Sequence, residues 1–195
     1  MVTCVAGTAH ETTPPRERAD EAGPWKPAGA RRPSPRVTSV TSTAHEITVP
    51  GPPRVEEVSD GIHAYIQPDG TWWINNTGFL VGRKGVTSVD ACSTVRRTRA
   101  YLDAIGRITS QPVRTPVNTH HHGDHTFGNF LFPGATIVGH EATRASVLEW
   151  GMPFDAPVWT PVEWGDVELA PPFVTYKDGV TLWVDDLRCE VTHVG

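Results

Sequence analysis

Within Asn118–Asn129, which reads NTHHHGDHTFGN, four of the chain's nine histidines fall inside six residues. His120, His122, Asp124 and His125 together spell H-x-H-x-D-H. Neutral imidazole nitrogens and a carboxylate oxygen are ligands that suit Zn²⁺, and Fe or Mn to a lesser extent. The spacing makes convergence plausible on physical grounds. Residues two apart on an extended backbone point the same way, so His120 and His122 can meet at one metal while His121 points to the other side. Gly123 lets the chain turn sharply without steric cost. That turn would aim Asp124 and His125 at a neighbouring point, and two adjacent metals sharing a hydroxide is a hydrolytic design.

An element must deliver this loop. Pro112–Val117 (PVRTPV) reads as a short strand leading straight into it. Upstream, Val86–Val89 reads as another strand after the Gly82–Gly85 turn, with Asp90 at its C-terminal end. Ser93 or Thr94 is placed to cap a helix running to about Ile108. Val95, Tyr101, Leu102, Ile105 and Ile108 recur near helical spacing, and Arg96, Arg97 and Arg99 face away.

These residues resemble the metallo-β-lactamase-fold hydrolases. The match is H-x-H-x-D-H after a strand, preceded by Thr119, together with the earlier strand that ends in Asp90 and is followed by a helix. It covers roughly Val55 to the C-terminus. The resemblance implies an α+β fold, a metallo-β-lactamase-like αββα sandwich of which this chain holds the N-terminal half only. It implies that His120 and His122 bind a first metal, and that Asp124 and His125 bind a second. Two Zn²⁺ ions per intact domain are then expected, with Fe or Mn possible. Asp124 would also be catalytic, orienting the nucleophile and taking up a proton. Asp90 would be a buried carboxylate supporting the metal loop, or a turn and cap residue. The implied reaction is hydrolysis of a small-molecule ester, thioester, lactone or amide. An iron-dependent oxidoreductase on the same ligands and a non-catalytic truncated remnant are the alternatives.

The family's dinuclear site needs a third His, a bridging Asp and a last His. The ending Thr192-His193-Val194-Gly195 resembles the segment just ahead of the third-His loop, so that His is expected beyond Gly195. Alternatively His193 is itself the third ligand. The chain therefore reads as a fragment of a longer protein.

Composition narrows the rest. The 195 residues suggest one domain with a tail. Residues 1–53 hold half of the 18 prolines and read as a disordered tail, leaving 54–195 as the partial domain. Three widely spaced cysteines, Cys4, Cys92 and Cys189, show no zinc or disulfide framework, so a reduced, cytoplasmic protein is expected. The absence of a long apolar run argues against a membrane span. A net charge of −5 argues against nucleic acid as a partner.

Val55–Val58 and Ile62–Gln67 read as strands. Pro68-Asp69-Gly70 then reads as a turn into a returning strand over 71–81, with Trp72 and Trp73 near the tip. The functional reading of these two is an apolar wall for substrate; ordinary sheet packing is the alternative. A short irregular helix is expected over Thr126–Phe132, a strand over Thr136–Val138 and a helix over His140–Trp150. The long connection Gly151–Pro172, with Trp159 and Trp164, is long enough to drape over the cleft. Phe173–Tyr176, Val180–Val184 and Leu187–Val194 are expected to form three strands of a second sheet.

Overall fold

A computed structural model describes residues 2–5, 51–68, 73–152 and 162–194. Its strands are β1 (Val2–Val5), β2 (Arg54–Ser59), β3 (Ile62–Ile66), β4 (Thr77–Gly82), β5 (Gly85–Val89), β6 (Val113–Asn118), β7 (Val138–His140), β8 (Val174–Tyr176), β9 (Gly179–Val184) and β10 (Leu187–Thr192). The helices are α1 (Val95–Ile108), α2 (Gly123–Thr126) and α3 (Glu141–Trp150), with one 3₁₀ turn at Asn129–Leu131. A seven-stranded sheet runs β2-β3-β4-β5-β6-β7-β8, and a three-stranded sheet runs β1-β10-β9. The large sheet is antiparallel from β2 to β5 and parallel from β5 to β8.

Alternation along β4 explains the layering. Phe79 and Leu80 are both buried, yet adjacent strand residues face opposite sides. Phe79 joins Tyr65, Val86, Tyr101, Ala104 and Ile105 in a core between the large sheet and α1. Leu80 joins Val184 and Cys189 in a core between the two sheets, and Val117, Val138 and Val191 extend that side. The described residues thus build a helix layer and two sheet layers. None of their helices is long and apolar enough to cross a membrane.

The helix starts where its sequence signals it. The Thr94 side chain accepts from the Arg97 N–H at 3.2 Å, satisfying one of the donors left over in a first turn. Thr98, Tyr101, Ala104 and Ile105 form its buried stripe, whereas Ile108 at the last turn is 49% exposed. Replacing Thr94 with Ala is expected to lower unfolding free energy by about 1 kcal/mol in urea denaturation.

Four sequence expectations change. First, Val2–Val5 is a strand, not part of a disordered tail; this β-branched run finds backbone partners along the edge of β10. The remainder of that tail up to residue 50 lies outside the described residues. Second, the returning strand begins only at Thr77. The polar segment before it is held by side chains instead of a ladder. Asn76 Oδ1 accepts from the Gln67 N–H at 2.8 Å, and Asn75 Nδ2 donates to the Ala91 carbonyl at 2.8 Å. Asp69, Gly70 and Trp72 lie outside the described residues. Third, β8 joins the large sheet parallel to β7, and the place expected for it beside β9 and β10 is taken by β1. A parallel neighbour needs a long crossover, which α3 and the connection after it supply. Fourth, the expected helix over Thr126–Phe132 is split into α2, which starts earlier, and the 3₁₀ turn.

Candidate metal centre

The loop leaves β6 at its C-terminal end, beside the end of β5. Asp90 follows β5 in a left-handed backbone conformation (φ 62°) and is 3% exposed. Aspartate tolerates that conformation better than most residues. The turn aims its carboxylate along the start of the loop. Oδ1 accepts from the Thr119 N–H at 2.7 Å, and Oδ2 accepts from the Thr119 hydroxyl at 2.7 Å. Oδ2 also lies 2.7 Å from Nδ1 of His125. One buried carboxylate therefore ties both ends of the H-x-H-x-D-H segment.

The backbone is sewn down in the same place. Asp90 N–H donates to the Val117 carbonyl at 2.8 Å, and Ala91 N–H donates to the His125 carbonyl at 2.9 Å. Asn118, with no exposed surface, donates to that same carbonyl and exchanges amide hydrogen bonds with Asn129, at 3.1 and 2.8 Å. Gly123 opens α2, and a Cβ there would come within 2.4 Å of the Phe127 ring. Phe127 stacks on Trp73 with ring centroids 5.8 Å apart, and Trp164 meets both edge-on. The aromatic cluster thus lies directly under the turn of the loop. Trp164 also comes from the long connection, whose Trp159 lies outside the described residues.

The imidazoles of His120, His122 and His125 come together. The His120 ring centroid lies 4.7 Å from that of His122 and 4.0 Å from that of His125. Asp124 Oδ2 is 3.1 Å from His125 Nε2. His120 Nδ1 is 3.1 Å from the Thr119 hydroxyl, which leaves its Nε2 as the outward nitrogen. His121 turns to Trp150 of α3, with centroids 4.9 Å apart, and its buried Nε2 has no hydrogen-bond partner among the described residues. His193 is not in this cluster. It stacks on His140 at 3.9 Å, and His140 caps α3 by accepting from the Ala142 N–H.

Charge follows geometry. Burial disfavours the charged form of His125, but the hydrogen bonds it donates to Asp124 and Asp90, and the charges of those carboxylates, outweigh it and lift its pKa to about 9. Burial likewise works to raise the Asp124 carboxyl, yet the His125 contacts hold it below its usual value. Burial, with the neighbouring His125 and His122, lowers His120; burial and His122 lower His121.

The donor set fits a divalent transition metal in chemistry: three imidazoles and one carboxylate, backed by an outer carboxylate on a ligand histidine. Among the described residues no three such side chains stand in metal-holding geometry as they are. Asp124 and His125 direct their donor atoms at each other, so a metal would have to replace the proton they share.

A pH prediction follows. A histidine whose folded pKa is raised contributes stability that is complete below about 6.5 and is lost as pH rises through the folded value, here about 9. The lowered His120, His121 and Asp124 lose their contributions as pH falls. Chelator-treated protein should therefore be most stable near pH 6.5, by urea midpoint, with alkaline loss extending to about pH 9. A His125→Gln variant should lack that alkaline loss.

Sequence reasoning missed Asn118, Asn129, Phe127 and Trp150 as supports of the loop. Only the Asn residues flanking the motif offered a local signal.

A family model described as the metallo-beta-lactamase superfamily matches residues 70–190. Among solved structures, a metallo-beta-lactamase from Pontibacter korlensis is similar at TM-score 0.55 and 18% identity, over 70% of this chain and 58% of that one. The DIM-1 metallo-beta-lactamase, exposed to ceftazidime, is similar at TM-score 0.50 and 18% identity, over 69% of this chain and 56% of that one. The chain spans little more than half the length of either. No curated protein matches it significantly.

Proposed function

The chain belongs to the metallo-beta-lactamase superfamily, and from this we propose that the protein is a metal-dependent hydrolase of a small-molecule ester, thioester, lactone or amide. The observation that supports this most is the meeting of His120, His122, Asp124 and His125 above a single buried carboxylate, Asp90. In this reading His120 and His122 hold one zinc ion, and Asp124 and His125 hold a second. Bound zinc would supply an acidified water and polarise the scissile carbonyl.

The chain's own residues do the rest. Asp90 orients the His125 ring through Nδ1, which leaves Nε2 for the metal. Thr119 holds His120 by Nδ1 in the same sense. Asp124 is less buried than Asp90, so its carboxylate is available to accept a proton from the attacking water and pass it to the leaving group. The aromatic cluster of Trp73, Phe127 and Trp164 keeps the loop on a rigid, apolar support.

The test is turnover of a panel of chromogenic esters, thioesters, lactones and amides by the zinc-loaded full-length protein. Activity should vanish with chelator, and Asp124→Asn should lower kcat by on the order of 10²–10⁴. Wild-type turnover by Asp124→Asn would contradict the assignment. Metal analysis of protein purified without added metal separates a zinc hydrolase from an iron enzyme.

A further inference from the structure

A bulge interrupts the ladder between β5 and β6. Val86 pairs with Val113, but Thr87 pairs with Thr115, so Arg114 has no partner residue on β5. Bulges are rare between parallel strands, and they re-aim the side chain they carry. Here the Arg114 side chain lies across Gly85, and its Nε donates to the Lys84 carbonyl at 2.6 Å. A Cβ on Gly85 would come within 2.6 Å of Arg114 Cδ, so glycine is what lets the side chain rest there.

The bulge borders a pocket of about 150 Å³. Asp90 and the metal loop follow the C-terminal ends of the parallel strands β5 and β6, whereas this pocket lies at their N-terminal ends. Lys84, Arg114, Thr87 and Thr115 line it, with Val184 and Asp185 at the end of β9. Thr87 and Thr115 are register partners on one face of the sheet, and Thr87 is only 9% exposed. Among the described residues neither threonine hydroxyl has a hydrogen-bond partner, and neither Lys84 nor Arg114 has a carboxylate partner. The carboxylate on the lining is already engaged. Asp185 Oδ2 accepts from the Arg83 N–H at 2.6 Å, and Oδ1 lies 3.6 Å from Arg83 Nε.

We propose that this pocket binds a phosphate group, either free orthophosphate or the phosphate of a small monoester, at a site separate from the metal centre. Water would satisfy the two hydroxyls, but it cannot neutralise two cations. A carboxylate is flat and carries one charge. Two positive charges and two hydroxyl donors on different walls match a doubly charged tetrahedral oxyanion better. The planar guanidinium of Arg114 suits two phosphate oxygens at once, and Lys84 acts as a point charge. The inference does not depend on the hydrolase reading, because no residue of the H-x-H-x-D-H segment lines this pocket.

The experiment titrates ¹⁵N-labelled full-length protein with sodium phosphate at about pH 8, where the phosphate of a monoester is a dianion. Ionic strength is held constant with sodium chloride, and amide shifts are followed by NMR. Gly85, Thr87 and Thr115 should shift and saturate together. Arg114→Gln should weaken binding at least about tenfold, the loss of a charged hydrogen bond. Gly85→Ala is a second variant, and the atoms its Cβ would meet belong to the flexible Arg114 side chain. It should fold, by urea midpoint, and still bind phosphate more weakly than wild type. Glycerol 3-phosphate in a parallel titration identifies the source. Tighter binding than inorganic phosphate assigns the site to a monoester, and weaker binding assigns it to the free ion. An adventitious ion only, seen as shifts that do not saturate or that chloride reproduces, would overturn the inference. So would saturable shifts confined to the His120–His125 loop, or wild-type affinity in Arg114→Gln.

Discussion

Asp90→Ala should lower the unfolding free energy by about 3–5 kcal/mol, the cost of removing one partner from a buried charged pair. The substitution deletes the acceptor for the Thr119 N–H, the Thr119 hydroxyl and His125 Nδ1 at once. It leaves the Thr119 amide without its acceptor and a histidine with half its counter-charge. It also places Ala in a left-handed conformation that Asp tolerates better. Asp90→Asn keeps the backbone preference and one carbonyl acceptor but loses the charge. Its cost should be smaller, about 1.5–3 kcal/mol. Urea unfolding of metal-free protein measures both. Titration of the His125 ring by NMR provides a separate readout, because its pKa should drop from about 9 in either variant. A loss under about 1 kcal/mol for Asp90→Ala would mean that the loop does not depend on this carboxylate.

Gly128→Ala should cost about 3 kcal/mol, the upper end for overpacking. A Cβ at Gly128 would lie 2.2 Å from Thr98 Oγ1 and 2.8 Å from both Thr98 Cγ2 and the Cys92 carbonyl oxygen. Thr98 is fully buried in α1 and donates to that same carbonyl at 3.2 Å. The side chain has nowhere to go, and the carbonyl is backbone. The chain between α2 and the 3₁₀ turn must therefore move, carrying the His120–His125 loop away from α1. Pairing Gly128→Ala with Thr98→Ala should recover part of the loss, since two of the three clashing atoms are gone. Paired urea denaturation of the single and double variants reads this coupling. Additive costs would show that the clash is relieved elsewhere.

Local chemistry made the centre of this molecule legible in sequence. β6 ends at Asn118 and the chain bends through 119–121, yet the rings of His120, His122 and His125 still meet, and Gly123 opens the turn that carries Asp124 and His125. The Thr94 cap and the apolar spacing of Tyr101 and Ile105 located α1. What was illegible depends on partners distant in the chain. Nothing in Val174–Tyr176 distinguishes a strand that joins β7 from one that joins β9, because the choice rests on where α3 carries the chain. Val2–Val5 is a four-residue run too short to signal a strand by itself, and β10, more than 180 residues later, is its partner. Asn75 and Asn76 lie in a run that alternates like a strand, yet their amides satisfy Gln67 and Ala91 and end the ladder. Trp150 and Trp164 reach the loop from elements 25 and 39 residues beyond His125, too far for spacing to reveal.

The most direct test of the central claim is zinc binding. Wild-type protein and the His120→Ala/His122→Ala double variant are dialysed against buffered zinc at pH 8, and bound metal is measured by atomic absorption. The wild type should retain zinc, and the double variant should bind at least on the order of 100-fold more weakly. Equal zinc uptake by the two proteins, with both folded, would contradict the assignment of this loop as the metal centre.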